Sequence, residues 1–249
     1  MVDSVLLFSG GLDSFMAYLY LKNVKGVNVK PVYYNIGTRY TNEEVEHIKS
    51  LPFADEVLFI DKISLGDLEC DDAFVPNRNI LLATHATSFS NKVWIGGSLS
   101  DRVGDNKKEV FDALSDLLTK VNGRLIRISS PFWNSYKCDL TSMIVHSLKL
   151  CSASDLVSNT FSCYNPTKRV REIEYSLAGC EVRKYSTKEC LYCPACFRKG
   201  AALFAASIKR PFYNQELINK YQTDFKNQLH NTPRKLATLS YCSYLQNGA

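Results

Sequence analysis

Two short stretches of the chain carry residues whose types and spacing can do chemistry. The first is Ser9-Gly10-Gly11-Leu12-Asp13-Ser14, a turn between an apolar run and a helix-period stretch. Glycines at such a turn let the backbone approach a ligand, and the N–H groups of the turn and helix start form an anion site, a cradle for phosphate. The Lys-Ser/Thr pair of the usual nucleoside-triphosphate loop and the three spaced glycines of a dinucleotide loop are both missing. The second stretch places Cys190, Cys193 and Cys196 with two residues between successive cysteines. Three thiolates so spaced need a fourth ligand to complete a tetrahedral zinc site, and Cys163 and Cys180 both offer one. A redox Cys-x-x-Cys pair is the competing reading.

The elements that must position these residues follow from hydrophobic period. Val5 to Phe8, Pro31 to Ile36, Val57 to Asp61, Val93 to Gly97 and Leu125 to Ser129 read as strands. Helix-period segments alternate with them at Ser14 to Lys22, Asn42 to Leu51, Arg78 to Phe89, Glu109 to Val121 and Asp139 to Leu150. Near-continuous apolar strands alternating with helices predict an α/β fold with a parallel sheet covered by helices, whose ligands sit beyond the carboxyl ends of the strands. The Ser-Gly-Gly turn lies at such an end. Residues 1–158 are therefore expected to form the nucleotide-binding domain, and residues 159–249 a cysteine-bearing, mainly helical unit. In the second unit Ala195 to Ser207 reads as a helix, and the tail after Lys226 is polar and weakly periodic.

The chain has 249 residues, 45% of them hydrophobic, enough for a sizeable core without disulfide staples. A charged-then-apolar leader is missing from its start, so its nine cysteines are expected to be reduced thiols of a cytoplasmic protein. Apolar runs are too short to span a membrane, and a formal charge of +5 is too mild for a dedicated polyanion groove.

The stretch from Ser9 to Ser14 resembles the SGGxDS loop of the PP-loop ATP pyrophosphatases. That resemblance implies attack of a substrate oxygen on the α-phosphorus of ATP, with pyrophosphate leaving. Ser9, Gly10, Gly11, Leu12 and Ser14 would hold the leaving group, and Asp13 would orient the loop or help hold Mg²⁺. Further stretches are similar to the QueC family, the 7-cyano-7-deazaguanine synthases: FVPNRN (Phe74 to Asn79), NIGTRY (Asn35 to Tyr40), GGSLSD (Gly96 to Asp101), PFWNSYK (Pro131 to Lys137) and SCYN (Ser162 to Asn165). The resemblance implies ATP, Mg²⁺ and Zn²⁺ as cofactors. Its substrates would be 7-carboxy-7-deazaguanine and ammonia, its product the nitrile, preQ0, of queuosine biosynthesis, and its assembly a homodimer. By position, Arg78 and Asn79 would lie beside the nucleotide, Lys137 would neutralise phosphate charge, Arg39 and Asp101 would face the substrate, and Cys163 would be the fourth zinc ligand.

The chain departs from the family in two places. Gly104-Asp105-Asn106-Lys107-Lys108 stands where the family has a Gly-Tyr-Pro-Asp-Cys-Arg run. Between Cys163 and Cys190 lies an insertion carrying Lys168, Arg169, Arg171, Arg183 and Lys184, which could be a solvated excursion or could dock an acceptor protein. Two other activities are therefore kept in view: joining the activated deazaguanine to a protein amine, as in QueC-like antiphage systems, and PP-loop modification of tRNA by thiolation or lysinylation.

Overall fold

The structure, a computed structural model, describes residues 3–61, 63–101, 104–177 and 181–247. It divides into two compact units, Met1–Ser135 and Tyr136–Ala249. Each expected strand of the first unit is present: β1 (Ser4–Leu7), β2 (Val29–Tyr34), β3 (Leu58–Ile60), β4 (Lys92–Trp94) and β5 (Arg127–Ser129). They pair in parallel in the order β3-β2-β1-β4-β5. The register sets Val5 beside Lys30 on one flank and beside Val93 on the other. Parallel pairing requires crossovers, and α1 (Leu12–Asn23), α2 (Thr41–Lys49), α3 (Arg78–Ala86) and α4 (Lys108–Asn122) lie between the strands in sequence.

The core of this unit is the aliphatic content of the strands, with Val5, Val32, Val93 and Ile128 packed on Ala83, Ala86 and Phe111 from the helices. A buried hydroxyl ties helix to strand. Ser115 Oγ donates to the Phe111 carbonyl at 2.7 Å and accepts from the Ile128 N–H at 2.9 Å, so a β5 donor is satisfied by α4.

The second unit begins earlier than residue 159. Its helix α5 (Lys137–Ser142) packs on α7 (Pro194–Ala205) and runs into a π-helical turn at Met143–Ser147, so the helix period read from Asp139 to Leu150 is interrupted. The short α6 (Ala153–Ser158) follows, opened by a capping box between Ser152 and Asp155. The insertion then forms an antiparallel hairpin of β6 (Arg171–Ser176) and β7 (Val182–Thr187), a strand pair within a unit expected to be mainly helical. Ile173 and Tyr175 face inward on β6 while Glu172 and Glu174 face solvent, a two-residue alternation too short and too charged to stand out. Past α7 comes α8 (Gln215–Lys226), and the weakly periodic tail after Lys226 is ordered as α9 (Pro233–Gln246). Tyr241 of α9 is fully buried, donates to the Arg210 carbonyl at 3.1 Å, and sits where a side chain on Gly200 would be. Phe197 of α7 stacks on Tyr221 of α8 at 4.2 Å between ring centroids. Among the described residues, no helix is long and apolar enough to cross a membrane.

Candidate functional site

The loop after β1 lies where the sheet order reverses, since the chain leaves β1 toward β2 and β3 on one side and returns to β4 and β5 on the other. Open parallel sheets leave a crevice there, at the carboxyl ends of their strands. Gly10 has φ +69°, a left-handed backbone, and a Cβ there would stand 2.9 Å from Ile48 and 3.3 Å from His47 of α2. Backbone conformation and close approach thus both demand glycine. Gly96, just beyond β4, serves the other flank, because a Cβ there would lie 3.1 Å from the Ser14 N–H nitrogen and 3.2 Å from Asp13.

The serines brace the loop from within. Ser14 Oγ donates to the Gly11 carbonyl at 3.1 Å and accepts from the Ser9 N–H at 3.3 Å, and the two serine hydroxyls are 3.3 Å apart. Gly11 caps α1 in an extended conformation without a side-chain cap bond, and the positive end of the helix dipole lies at this loop, where an anion is favoured. This arrangement fits the β and γ phosphates of a nucleotide, with Asp13 in the first turn of α1 as a carboxylate at the same end. His47, brought against Gly10 by α2, went unnoticed in the sequence, since nothing in a lone histidine of a polar helix marks it.

Beyond β2 a set of charged and phenolic groups gathers. Arg78 Nη1 donates to Tyr40 Oη at 3.2 Å, and Tyr33 Oη donates to Glu44 at 3.1 Å. Burial pushes Glu44 up to about 7, against the opposing pull of the Tyr33 hydroxyl and the Arg78 charge. Arg39 is engaged by protein: its Nε pairs with Glu69 at 3.1 Å and its Nη2 donates to the Asp71 carbonyl at 2.7 Å. Asn79 is held by the departing loop, its N–H and side-chain Nδ2 each donating to the Asp105 carboxylate at 3.1 Å. Asp101 accepts from the Ser98 N–H at 2.7 Å and so shapes the turn after β4. Lys137 opens α5 in the second unit.

The cysteines of the second unit come together. The sulfurs of Cys163, Cys190, Cys193 and Cys196 all lie within 4.8 Å of one another, and those of Cys190 and Cys196 are 3.9 Å apart. A tetrahedral ion with metal–sulfur bonds of about 2.3 Å sets its sulfurs about 3.8 Å apart, so the set fits one mononuclear ion. Cys163 accepts from the Cys190 N–H at 3.2 Å, and Cys190 accepts from the N–H groups of Tyr192 and Cys193 at 3.3 Å each. Such bonds stabilise thiolate sulfur. Hydrogen bonds from Cys163 draw Cys190 down to about 7 and Cys193 lower still, while Cys163 and Cys196 are pushed up by the same shared protons. Cys180, the other candidate for the fourth position, lies outside the described residues.

Two of the insertion's basic side chains pair with carboxylates of the same hairpin, and a third bonds to a backbone carbonyl. Arg183 pairs with Glu181 at 2.7 Å, Lys184 with Glu174 at 3.2 Å, and Arg171 donates to the Glu189 carbonyl at 2.7 Å. Lys168 and Arg169 remain exposed on its approach.

Residues 51–207, more than half of the chain, match the family profile described as "Queuosine biosynthesis protein QueC". No curated protein matches the chain. Among solved structures, the U34-tRNA thiolase NcsA from Methanococcus maripaludis with its 4Fe-4S cluster is similar at 12% identity and a TM-score of 0.41, over 100% of this chain and 73% of that one, a likeness too distant to bear on function.

Proposed function

The chain belongs to the QueC family of PP-loop ATP-using enzymes, and on that premise we propose that it adenylates the carboxylate of 7-carboxy-7-deazaguanine and converts it with ammonia to the amide and then the nitrile. The observation that carries the reading is the glycine-lined loop at the switch point of the sheet, with its serine braces and the α1 helix dipole behind it. A carboxylate oxygen attacks the α-phosphorus, the bond to the pyrophosphate oxygen breaks, and Ser9, Ser14 and the N–H groups at Gly10 and Gly11 stabilise the charge on the leaving group. Ammonia then attacks the acyl carbon and AMP leaves. A second ATP activates the amide oxygen in the same way, and loss of AMP with two N–H protons forms the nitrile. Bound Mg²⁺ would neutralise phosphate charge, with Asp13 as its carboxylate ligand. Arg78 and Asn79 complete the nucleotide side of this proposal, and Arg39 and Asp101 the substrate side. The four cysteines would hold Zn²⁺ as a closed structural ion that contributes folding energy and leaves no position open for catalysis.

A second reading changes only the amine. What favours it is that Asp105, in the segment that replaces the family's run, grips Asn79 at the head of α3. The acceptor would then be a protein amine, with release of AMP and formation of a secondary amide. Pyrophosphate release from ATP and Mg²⁺ with 7-carboxy-7-deazaguanine, with and without ammonium, followed by mass analysis of small molecules and protein, separates the outcomes. Nitrile with ammonium supports the synthase; protein-linked deazaguanine without nitrile supports conjugation. Pyrophosphate release that requires tRNA and ignores the deazaguanine refutes both.

A further inference from the structure

Beside the four cysteines the second unit buries a group of charges that ligation through sulfur does not require. Glu189 immediately precedes Cys190, and Lys199 follows Cys196 by three residues on α7, on the same face of the helix. The Glu189 carboxylate accepts from Lys199 Nζ at 3.0 Å, from Arg210 Nη2 at 2.8 Å and from the Ser162 N–H at 2.7 Å. All three charged side chains are at most 1% exposed. Two cations against one carboxylate leave a buried positive charge uncompensated, which is costly in a low-dielectric interior. Arg210 Nε and Nη1 are moreover buried with no hydrogen-bond partner among the described residues. The Cys196 sulfur lies 3.7 Å from the carbonyl oxygen of Ser162, the residue whose N–H donates to Glu189, so the sulfurs and the charge group meet on one peptide segment. A divalent ion held by four thiolates carries a double negative charge, half of which the single excess positive charge offsets.

On the reading that the four cysteines hold a metal ion, we propose that Lys199 and Arg210 are positioning residues for that centre. Their buried positive charge, trimmed to one excess unit by Glu189, is the counter-charge of the tetrathiolate complex. The field they impose lowers the energy of the sulfur lone pairs, keeping the metal bound and the thiolates poorly nucleophilic.

The test uses the full-length protein loaded with Co²⁺, read by the rate of metal release to a chelator and by the energy of the sulfur-to-cobalt charge-transfer absorption. Lys199→Met removes the excess charge and is expected to speed release by about tenfold and to move the absorption to lower energy. The double variant Glu189→Gln/Lys199→Met removes one charge of each sign and restores the excess through Arg210, so release should return to within about twofold of the wild type, and the absorption with it. A role confined to the ion pair predicts a double variant no better than the single one, and that result overturns the proposal, as does a Lys199→Met protein unchanged in both readouts. Should Lys199→Met fail to fold, Arg210→Lys against Arg210→Met poses the same question, and equal behaviour of those two overturns it. A wild-type protein that takes up neither Co²⁺ nor Zn²⁺ removes the metal reading itself, an outcome distinct from a metal centre indifferent to charge.

Discussion

Gly10 is the residue at which conformation and function meet most directly. Its left-handed backbone and the contact with Ile48 mean that Gly10→Ala should cost roughly 1–2 kcal/mol of stability. A displaced loop should also lower pyrophosphate release about 100-fold or more, checked by denaturant unfolding and steady-state assay of the same protein. Glu44 makes a pH prediction with a definite sign. Because burial raises it in the folded state to about 7, the folded chain holds this proton more tightly than the unfolded chain. Its favourable contribution is complete below the ordinary glutamate value and is lost as pH rises through about 7. Glu44→Gln, which still accepts from Tyr33, should therefore be more stable than the wild type at pH 8, by on the order of 1 kcal/mol, with the difference shrinking at pH 5 in urea unfolding.

At the scale of elements, hydroxyl and thiol side chains join segments that hydrophobic period alone only places near each other. Ser115→Ala leaves the buried Ile128 N–H without an acceptor and should cost about 1–2 kcal/mol by urea unfolding, whereas Ser115→Thr, which keeps the oxygen, should cost less. Cys163 tethers the segment before the hairpin to the start of α7. Cys163→Ser should lose the metal in native mass spectrometry and unfold α7 and its neighbours, because the binding energy of such an ion is folding energy. The strands and helices of the first unit were legible because buried parallel strands are dense in Val, Ile, Leu and Tyr and because α4 carries a clear apolar face. The hairpin was not: its inward residues are only Ile173 and Tyr175 on β6, and charged side chains surround them.

For the molecule as a whole, two compact units with separate cores imply separable responses to ligands. In hydrogen exchange, ATP with Mg²⁺ is expected to protect residues 9–14, while a strong chelator should deprotect residues 160–200 and leave β1 and β4 protected. Uniform deprotection on chelation would contradict the assignment of the metal to the second unit's stability. What could be read from the chain alone was whatever is local: the loop from Ser9 to Ser14, the triple cysteine spacing, and the alternation that announces a parallel sheet. Those signals survive in one dimension because backbone conformation, helix period and metal-ligand spacing are set by neighbours in sequence. Folding in three dimensions settled the rest. It set Cys163 among the other three sulfurs, His47 against Gly10, Asp105 on Asn79, and the Glu189–Lys199–Arg210 group beside the cysteines. Each joins residues distant in the chain, and a buried charge or polar group finds its partner through the packing of whole elements, which no local pattern encodes.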